Sequence, residues 1–157
     1  MRFTIQSSAS AANAPIPQKY TEDGKDVSPE LSWTGSPPAV QEYALIMDDP
    51  DAPTPQPWVH WIIYKIPAAV TSLPEAMPAD HRLTAPVQAL QGLNSWNTVG
   101  YRGPAPPRGH GVHHYHFKLY ALDAELDLSA GLDKLSLLKA MEGHILAQTE
   151  WIGTYQR

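Results

Sequence analysis

The sequence predicts an all-β dominated protein with one helix late in the chain. Two observations support this: aromatic and β-branched runs recur along the sequence, whereas leucines at helical spacing stand out in one segment near the end. With 157 residues, 43% of them hydrophobic, the chain can bury the core of one domain. We therefore expect residues 1–157 to form a single domain.

The predicted strands follow from alternating or continuously apolar segments. A run that is apolar almost throughout is typical of a strand covered on both faces, and residues 58–66 are the clearest case. Side chains alternate along a strand, so Trp58, His60, Ile62 and Tyr64 are expected to share one face. The strands predicted in the first three quarters of the chain cover residues 3–5, 28–33, 42–48, 58–66 and 113–122.

Between the last two of these strands, residues 67–107 are rich in proline and glycine and are predicted to be mostly irregular. Leucines at helical spacing predict a helix over residues 132–142, and Gly143 is a suitable stop signal. Alternation then predicts a last strand over residues 145–154.

Composition excludes several classes of function. The net charge is −5 and lysine and arginine form no run, which argues against a nucleic-acid partner. There is no cysteine, so disulfides and thiolate metal sites are excluded. No apolar stretch approaches about 18 residues, and the N-terminus lacks the apolar core of a signal peptide. We expect a cytoplasmic protein that does not span a membrane.

The most distinctive segment is the acidic turn Asp48-Asp49-Pro50-Asp51-Ala52-Pro53, which directly follows a predicted core strand. Proline fixes the backbone φ angle and removes an amide donor, so this turn is expected to hold its carboxylates rigidly. Rigid carboxylates suit a preformed binding site. The alternative is a solvated turn whose aspartates bond to their own backbone.

Two histidines lie near the starts of separate predicted strands, His60 in one and His113 in the other. If these strands are neighbours, both imidazoles can meet the carboxylates of Asp49 and Asp51 at one end of the sheet. This convergence is the central hypothesis that the sequence offers about function.

The motifs resemble those of a known family. The segments are Asp49-Pro50-Asp51-Ala52-Pro53, Trp58-Val59-His60, Gly103-Pro104-Ala105-Pro106-Pro107 and Gly111-Val112-His113-His114-Tyr115. In this order and spacing they resemble the two signature segments of the phosphatidylethanolamine-binding protein family. The similarity is greatest to its shorter bacterial and archaeal branch, the Raf kinase inhibitor-like proteins.

The resemblance implies an antiparallel β-sandwich with a small anion pocket at one end. By position it assigns Asp49, Asp51, His60 and His113 to the pocket, and Pro107 and Tyr115 to its wall. The implied ligands are phosphate-bearing head groups and similar oxyanions, and some family members bind kinases or other proteins. The expected partners are thus a small anion and, as an open alternative, a protein such as a kinase or protease. The resemblance also allows a homodimer. The family usually has arginine where this chain has His114.

Three kinds of chemistry remain open for the Asp and His cluster. Histidines beside carboxylates can donate to an anion as imidazolium, which predicts binding that weakens as pH rises. Two Asp and two His are also acceptable ligands for zinc or another divalent ion, although their spacing matches no tight metal motif. The same groups could act as acid and base in phosphoester hydrolysis, but no nucleophile with an evident partner is present. We expect non-catalytic anion binding that needs no cofactor.

Overall fold

A computed structural model describes residues 2–157. Its strands in chain order are β1 (Thr4–Gln6), β2 (Leu31–Thr34), β3 (Glu42–Asp49), β4 (Trp58–Pro67), β5 (Ser72–Leu73), β6 (Arg82–Leu83), β7 (Ala89–Gln91), β8 (His113–Leu122) and β9 (Ile145–Tyr155). A 3-10 turn covers Gln18–Tyr20, and helix α1 covers Lys134–Met141. Asp133 caps α1, because its carboxylate accepts from the backbone N–H of Ser136 at 2.8 Å.

The strands form two sheets. The smaller has the order β1-β2-β5, and the larger has the order β6-β7-β4-β3-β8-β9. Neighbouring strands within both sheets are antiparallel. The predicted β-dominated fold with one late helix is confirmed, as is the antiparallel sandwich that the family resemblance implies.

Apolar side chains fill two layers. One layer lies between the sheets and includes Leu31, Trp33, Leu45, Trp61 and Phe117. The other lies on the opposite face of the larger sheet, where α1 packs, and includes Ile46, Ile62, Tyr64, Leu137 and Met141. Every residue of β3 is buried, because the smaller sheet covers one face of this strand and α1 lies against the other.

The structure differs from the prediction in the proline-rich segment 67–107. This segment contains β5, β6 and β7, which extend the two sheets at their edges. Each of these strands has only two or three residues, so periodicity cannot identify them in the sequence.

Among the helices of residues 2–157, none combines the length and the apolar character that crossing a bilayer requires.

A β-bulge in β4 changes the direction of His60. Met47 lies opposite Trp61 and Asp48 lies opposite Val59, so His60 is an extra residue in the ladder. Ile62 and Tyr64 point toward α1, whereas His60 points to the other side and contacts Tyr115. The expectation that His60 shares a face with Ile62 and Tyr64 is therefore wrong, because the bulge interrupts the alternation.

Candidate functional site

A cavity of about 360 Å³ opens at the end of the larger sheet where β3 ends and β8 begins. Five of the six predicted site residues line it: Asp49, His60, Pro107, His113 and Tyr115. The rest of the wall comes from Glu22, Ala52, Pro53, Thr54, Trp58, Trp96, Ala105, Pro106 and Arg157. The proline-braced turn and the proline-rich loop before β8 thus both contribute to one lining.

Sheet topology explains why distant residues meet here. The hypothesis assumed that the strands carrying His60 and His113 are neighbours, but β3 lies between them. Because β3 pairs antiparallel with both, its last residue, Asp49, lies beside the start of β4 and near the start of β8. Asp49 therefore occupies the centre of the site.

Asp49 and His113 form a buried pair. The Nδ1 of His113 donates to Oδ2 of Asp49 at 2.7 Å, and the two residues are 1% and 3% exposed. The other carboxylate oxygen, Oδ1, accepts from the backbone N–H of Asp51 at 2.8 Å and so closes the acidic turn. Both oxygens of Asp49 are thereby held, and the Nε2 of His113 is the ring nitrogen that does not bond to Asp49.

His60 has a fixed tautomer. Its Nδ1 lies 2.7 Å from the carbonyl oxygen of Arg102, which can only accept, so the proton is on Nδ1. The imidazole contacts Trp96 and Tyr115 edge-on, with ring centroids 5.1 and 5.2 Å away. Burial lowers the pKa of His60 below its ordinary value of 6.5, against the smaller opposing effect of the Arg102 carbonyl. His60 is thus a neutral imidazole whose Nε2 accepts hydrogen bonds.

Asp51 is the one predicted site residue that does not line the cavity. Its carboxylate oxygen Oδ2 accepts two hydrogen bonds from His114, from the backbone N–H and from Nδ1, both at 2.8 Å. Partial burial alone would raise the pKa of Asp51, but these hydrogen bonds lower it below its usual value. His114 therefore ties the acidic turn to β8 from the surface side.

Tyr115 forms the wall between the two histidines. Its ring lies edge-on to His60 and is stacked at 6.5 Å from His113. Burial raises the pKa of Tyr115 far above 10, so its hydroxyl remains a neutral phenol. Pro107 lies in the loop before β8 and is exposed at the cavity rim.

Several residues of the site were not predicted from the sequence. Arg157 lines the cavity, and its guanidinium pairs with Asp23 at 3.0 Å. Trp96 also lines the cavity, and the guanidinium of Arg102 lies 4.4 Å from the centroid of its ring. Arg102 in turn forms an ion pair with Glu22 at 3.1 Å. No local pattern marks these residues, because each reaches the site through a separate loop or chain end.

His110 is a further residue that the sequence did not single out. Its Nδ1 lies 2.6 Å from the Nε2 of His113. The only signal in the sequence is its position between Gly109 and Gly111 in the loop before β8.

The arrangement does not favour a metal ion. Among residues 2–157 there is no group of three or more His, Asp or Glu side chains placed to hold one. Asp49 and His113 are bonded to each other, and His60 points its protonated nitrogen at a carbonyl group.

Comparison with known proteins identifies the family. The family model described as phosphatidylethanolamine-binding protein matches residues 6–156. The chain belongs to the phosphatidylethanolamine-binding protein family. The resemblance that the motifs indicated is thus confirmed.

Relatives and solved structures agree with this membership. A protein of Methanothermobacter thermautotrophicus, named only UPF0098 protein, is 51% identical over 142 residues, which are 90% of this chain and 91% of the relative. The crystal structure of Escherichia coli YbcL, described as a member of the mammalian family, superposes with a TM-score of 0.90 at 30% identity and covers 100% and 99% of the two chains. The Chlamydia trachomatis homologue CT736 gives 0.89 at 37% identity, covering 99% and 97%.

Proposed function

We propose that this protein binds a small phosphate-type anion, free or as the head group of a phospholipid, without chemical turnover. The observation that carries the proposal is the buried Asp49–His113 pair in the wall of a cavity that His60 also lines. The carboxylate holds the Nδ1 proton of His113 and compensates the charge of an imidazolium, which donates to the ligand from Nε2.

The two histidines complement different oxygens of the ligand. His113 supplies a donor for a negatively charged oxygen, whereas neutral His60 supplies an acceptor. A phosphate monoester with one protonated oxygen offers both partners, and its second pKa is about 6. A phosphodiester head group has no P–OH, so its donor to His60 must come from another group, such as an ammonium.

The size of the cavity and its apolar side support the same class of ligand. A cavity of about 360 Å³ is near the lower end of the range for small-molecule sites, about 300–1,000 Å³. Two other charged groups of the wall are paired outside it, since Arg157 bonds to Asp23 and Glu22 bonds to Arg102. The aromatic rings of Trp58 and Trp96 give the cavity an apolar side suited to the short carbon chain of a head group.

The hydrolase alternative finds little support in the lining. Its one aliphatic hydroxyl belongs to Thr54, which donates to the carbonyl oxygen of Gln56 at 2.5 Å and faces no base. A hydrolase would therefore have to use water activated by His60. The expected protein partner, the homodimer and the cytoplasmic location stay predictions.

The test is calorimetric titration with inorganic phosphate, O-phosphorylethanolamine and glycerophosphoethanolamine. Intrinsic tryptophan fluorescence, to which Trp58 and Trp96 of the lining contribute, is followed in parallel. We expect saturable binding of at least one phosphate compound, lost in His113→Ala and retained in His81→Ala, which changes an exposed histidine outside the lining. A comparison of the three ligands separates free phosphate from the head group. Steady release of phosphate from the monoester by the wild type, absent in His60→Ala, would establish the hydrolase instead.

A further inference from the structure

The loop that precedes β8 carries an exposed histidine between two glycines. Gly109 and Gly111 have φ angles of +75° and +95°, a region that favours glycine, and a Cβ at either position would meet nothing within 4 Å. Around them the backbone N–H of His110 donates to the carbonyl oxygen of Pro107 at 3.2 Å, and that of Gly109 donates to the backbone oxygen of Arg157 at 3.3 Å. Two glycines at positive φ, and hydrogen bonds at the long end of the usual range, lower the cost of a conformational change in this segment.

The imidazole of His110 nevertheless has a specific partner in the site. Its Nδ1 lies 2.6 Å from the Nε2 of His113, with ring centroids 4.8 Å apart. The other ring nitrogen of His113 is bonded to Asp49. Both nitrogens of the buried His113 are therefore occupied by groups of the protein itself.

One hydrogen bond at Nε2 excludes a second. A nitrogen with one proton donates along one direction, so a ligand oxygen that accepts from His113 must take the place of His110. When His113 is neutral, its one proton is on Nδ1 and its Nε2 is an acceptor. His110 then donates a hydrogen bond to this Nε2. In either protonation state the contact position that an anion needs is filled.

We propose that His110 competes with the ligand for the Nε2 of His113. In the free protein the imidazole of His110 bonds to this nitrogen, and when an anion binds, the Gly109–Gly111 segment changes conformation and the imidazole leaves. This inference rests on the proposed function. It identifies His110 as a residue that sets the affinity of the site without being part of the bound complex. The exposed imidazole regains hydrogen bonds to water when it leaves, so the displacement costs only the net value of one internal hydrogen bond.

The expected size of the effect follows from that value. A net contribution of about 0.5–1.5 kcal/mol corresponds to a change of about 2- to 12-fold in Kd. Removal of the competing side chain in His110→Ala should therefore tighten phosphate binding by this factor. The matched control is His144→Ala, which removes a half-exposed histidine that pairs with Asp123 at 2.8 Å and does not line the cavity.

The experiment titrates wild type, His110→Ala, His144→Ala and His113→Ala with inorganic phosphate at one pH. Tighter binding by His110→Ala alone supports the inference. Equal or weaker binding by His110→Ala, with binding abolished in His113→Ala, overturns the inference and leaves the proposed function standing. Weaker binding would mean that His110 contacts the anion. If no variant binds phosphate, the proposed function fails, and the inference fails with it.

A second measurement observes the contact directly. Imidazole nitrogen resonances of His113 in the ligand-free wild type and in His110→Ala report whether Nε2 has a protein partner. We expect the Nε2 resonance to shift between the two proteins, while the Nδ1 resonance, bonded to Asp49, changes little. Identical Nε2 resonances would overturn the inference independently of any binding data, and His110→Ala removes only an exposed side chain, so the fold should be retained.

Discussion

Asp49 and His113, which are 64 positions apart in the chain, are joined by a 2.7 Å hydrogen bond inside the protein. Asp49 is the last residue of β3, and His113 is the first residue of β8. The pair therefore links the acidic turn to the start of β8. Asp51, two residues later, bonds instead to His114 at the surface.

The two aspartates should contribute very differently to ligand binding. Asp49→Asn removes the charge that compensates an imidazolium at His113, so phosphate binding should weaken about tenfold, equivalent to about 1.4 kcal/mol. Asp51→Asn changes an exposed pair outside the lining, and its Kd should stay within about twofold of the wild-type value. Calorimetry on both variants measures this difference, and a larger loss for Asp51→Asn would contradict the assignment of Asp49 as the central carboxylate.

Phosphate binding should weaken as pH rises. Above about 6 the monoester loses its P–OH, which is the donor to neutral His60. Titrations with methyl phosphate, a monoester, between pH 5 and pH 8 should show a steady rise in Kd. Dimethyl phosphate has no titrating P–OH in this range and serves as the control, with weaker binding and a shallower pH profile. Equal profiles for the two ligands would exclude a role for the ligand proton.

Burial of His60 should make the fold less stable in acid. Its pKa in the folded protein lies below 6.5, its ordinary value, because burial disfavours the charged imidazole. Between these two pKa values the unfolded chain binds more protons, so the free energy of unfolding decreases as pH falls from 6.5 downward. Neutral His60 makes its full contribution to stability above pH 6.5, the pKa in the unfolded chain. This contribution is lost as pH falls toward the lower pKa of the folded protein.

Urea denaturation of wild type and His60→Gln across this pH range measures the effect. The variant loses the bond to the Arg102 carbonyl and should be less stable at neutral pH. Its free energy of unfolding should nevertheless fall less steeply in acid, by up to about 1.4 kcal/mol per pH unit for one group. His81→Gln, at an exposed position, should keep the wild-type slope. A parallel slope in His60→Gln would assign the acid sensitivity to other groups.

Helix α1 is held to the sheet by a buried charge. Asp48 is fully buried, and its Oδ2 lies 2.6 Å from the Nζ of Lys134 and 3.5 Å from that of Lys118. Its Oδ1 has no hydrogen-bond partner among residues 2–157. The carboxylate therefore depends on these two lysines for compensation.

Lys134→Met should destabilise the fold by about 2–3 kcal/mol, because it removes the closer partner of a buried carboxylate. Lys139→Met makes the same change at an exposed position of the same helix and should have an effect within about 0.5 kcal/mol. Urea denaturation at pH 7 compares them. Equal stabilities of the two variants would show that Lys118 alone compensates Asp48.

Local patterns in the sequence predicted much of this molecule. Periodicity identified the long strands and α1, because the run of side chains in each reflects the face or faces that it buries. The motifs indicated the family and, with it, five residues that line the cavity. Proline and aspartate chemistry indicated that the turn after β3 is rigid.

The sequence by itself determined the helix, every strand except β5, β6 and β7, and the kinds of side chain near the ends of β3, β4 and β8, since these depend on short-range patterns. Only the tertiary structure decided that β3 separates the two histidine strands, that a bulge turns His60 into the cavity, and that Asp49 rather than Asp51 reaches His113. It also decided that the imidazole of His110 contacts that of His113. The physical reason is that register, bulges and loop contacts depend on residues far apart in the chain, which no local period encodes.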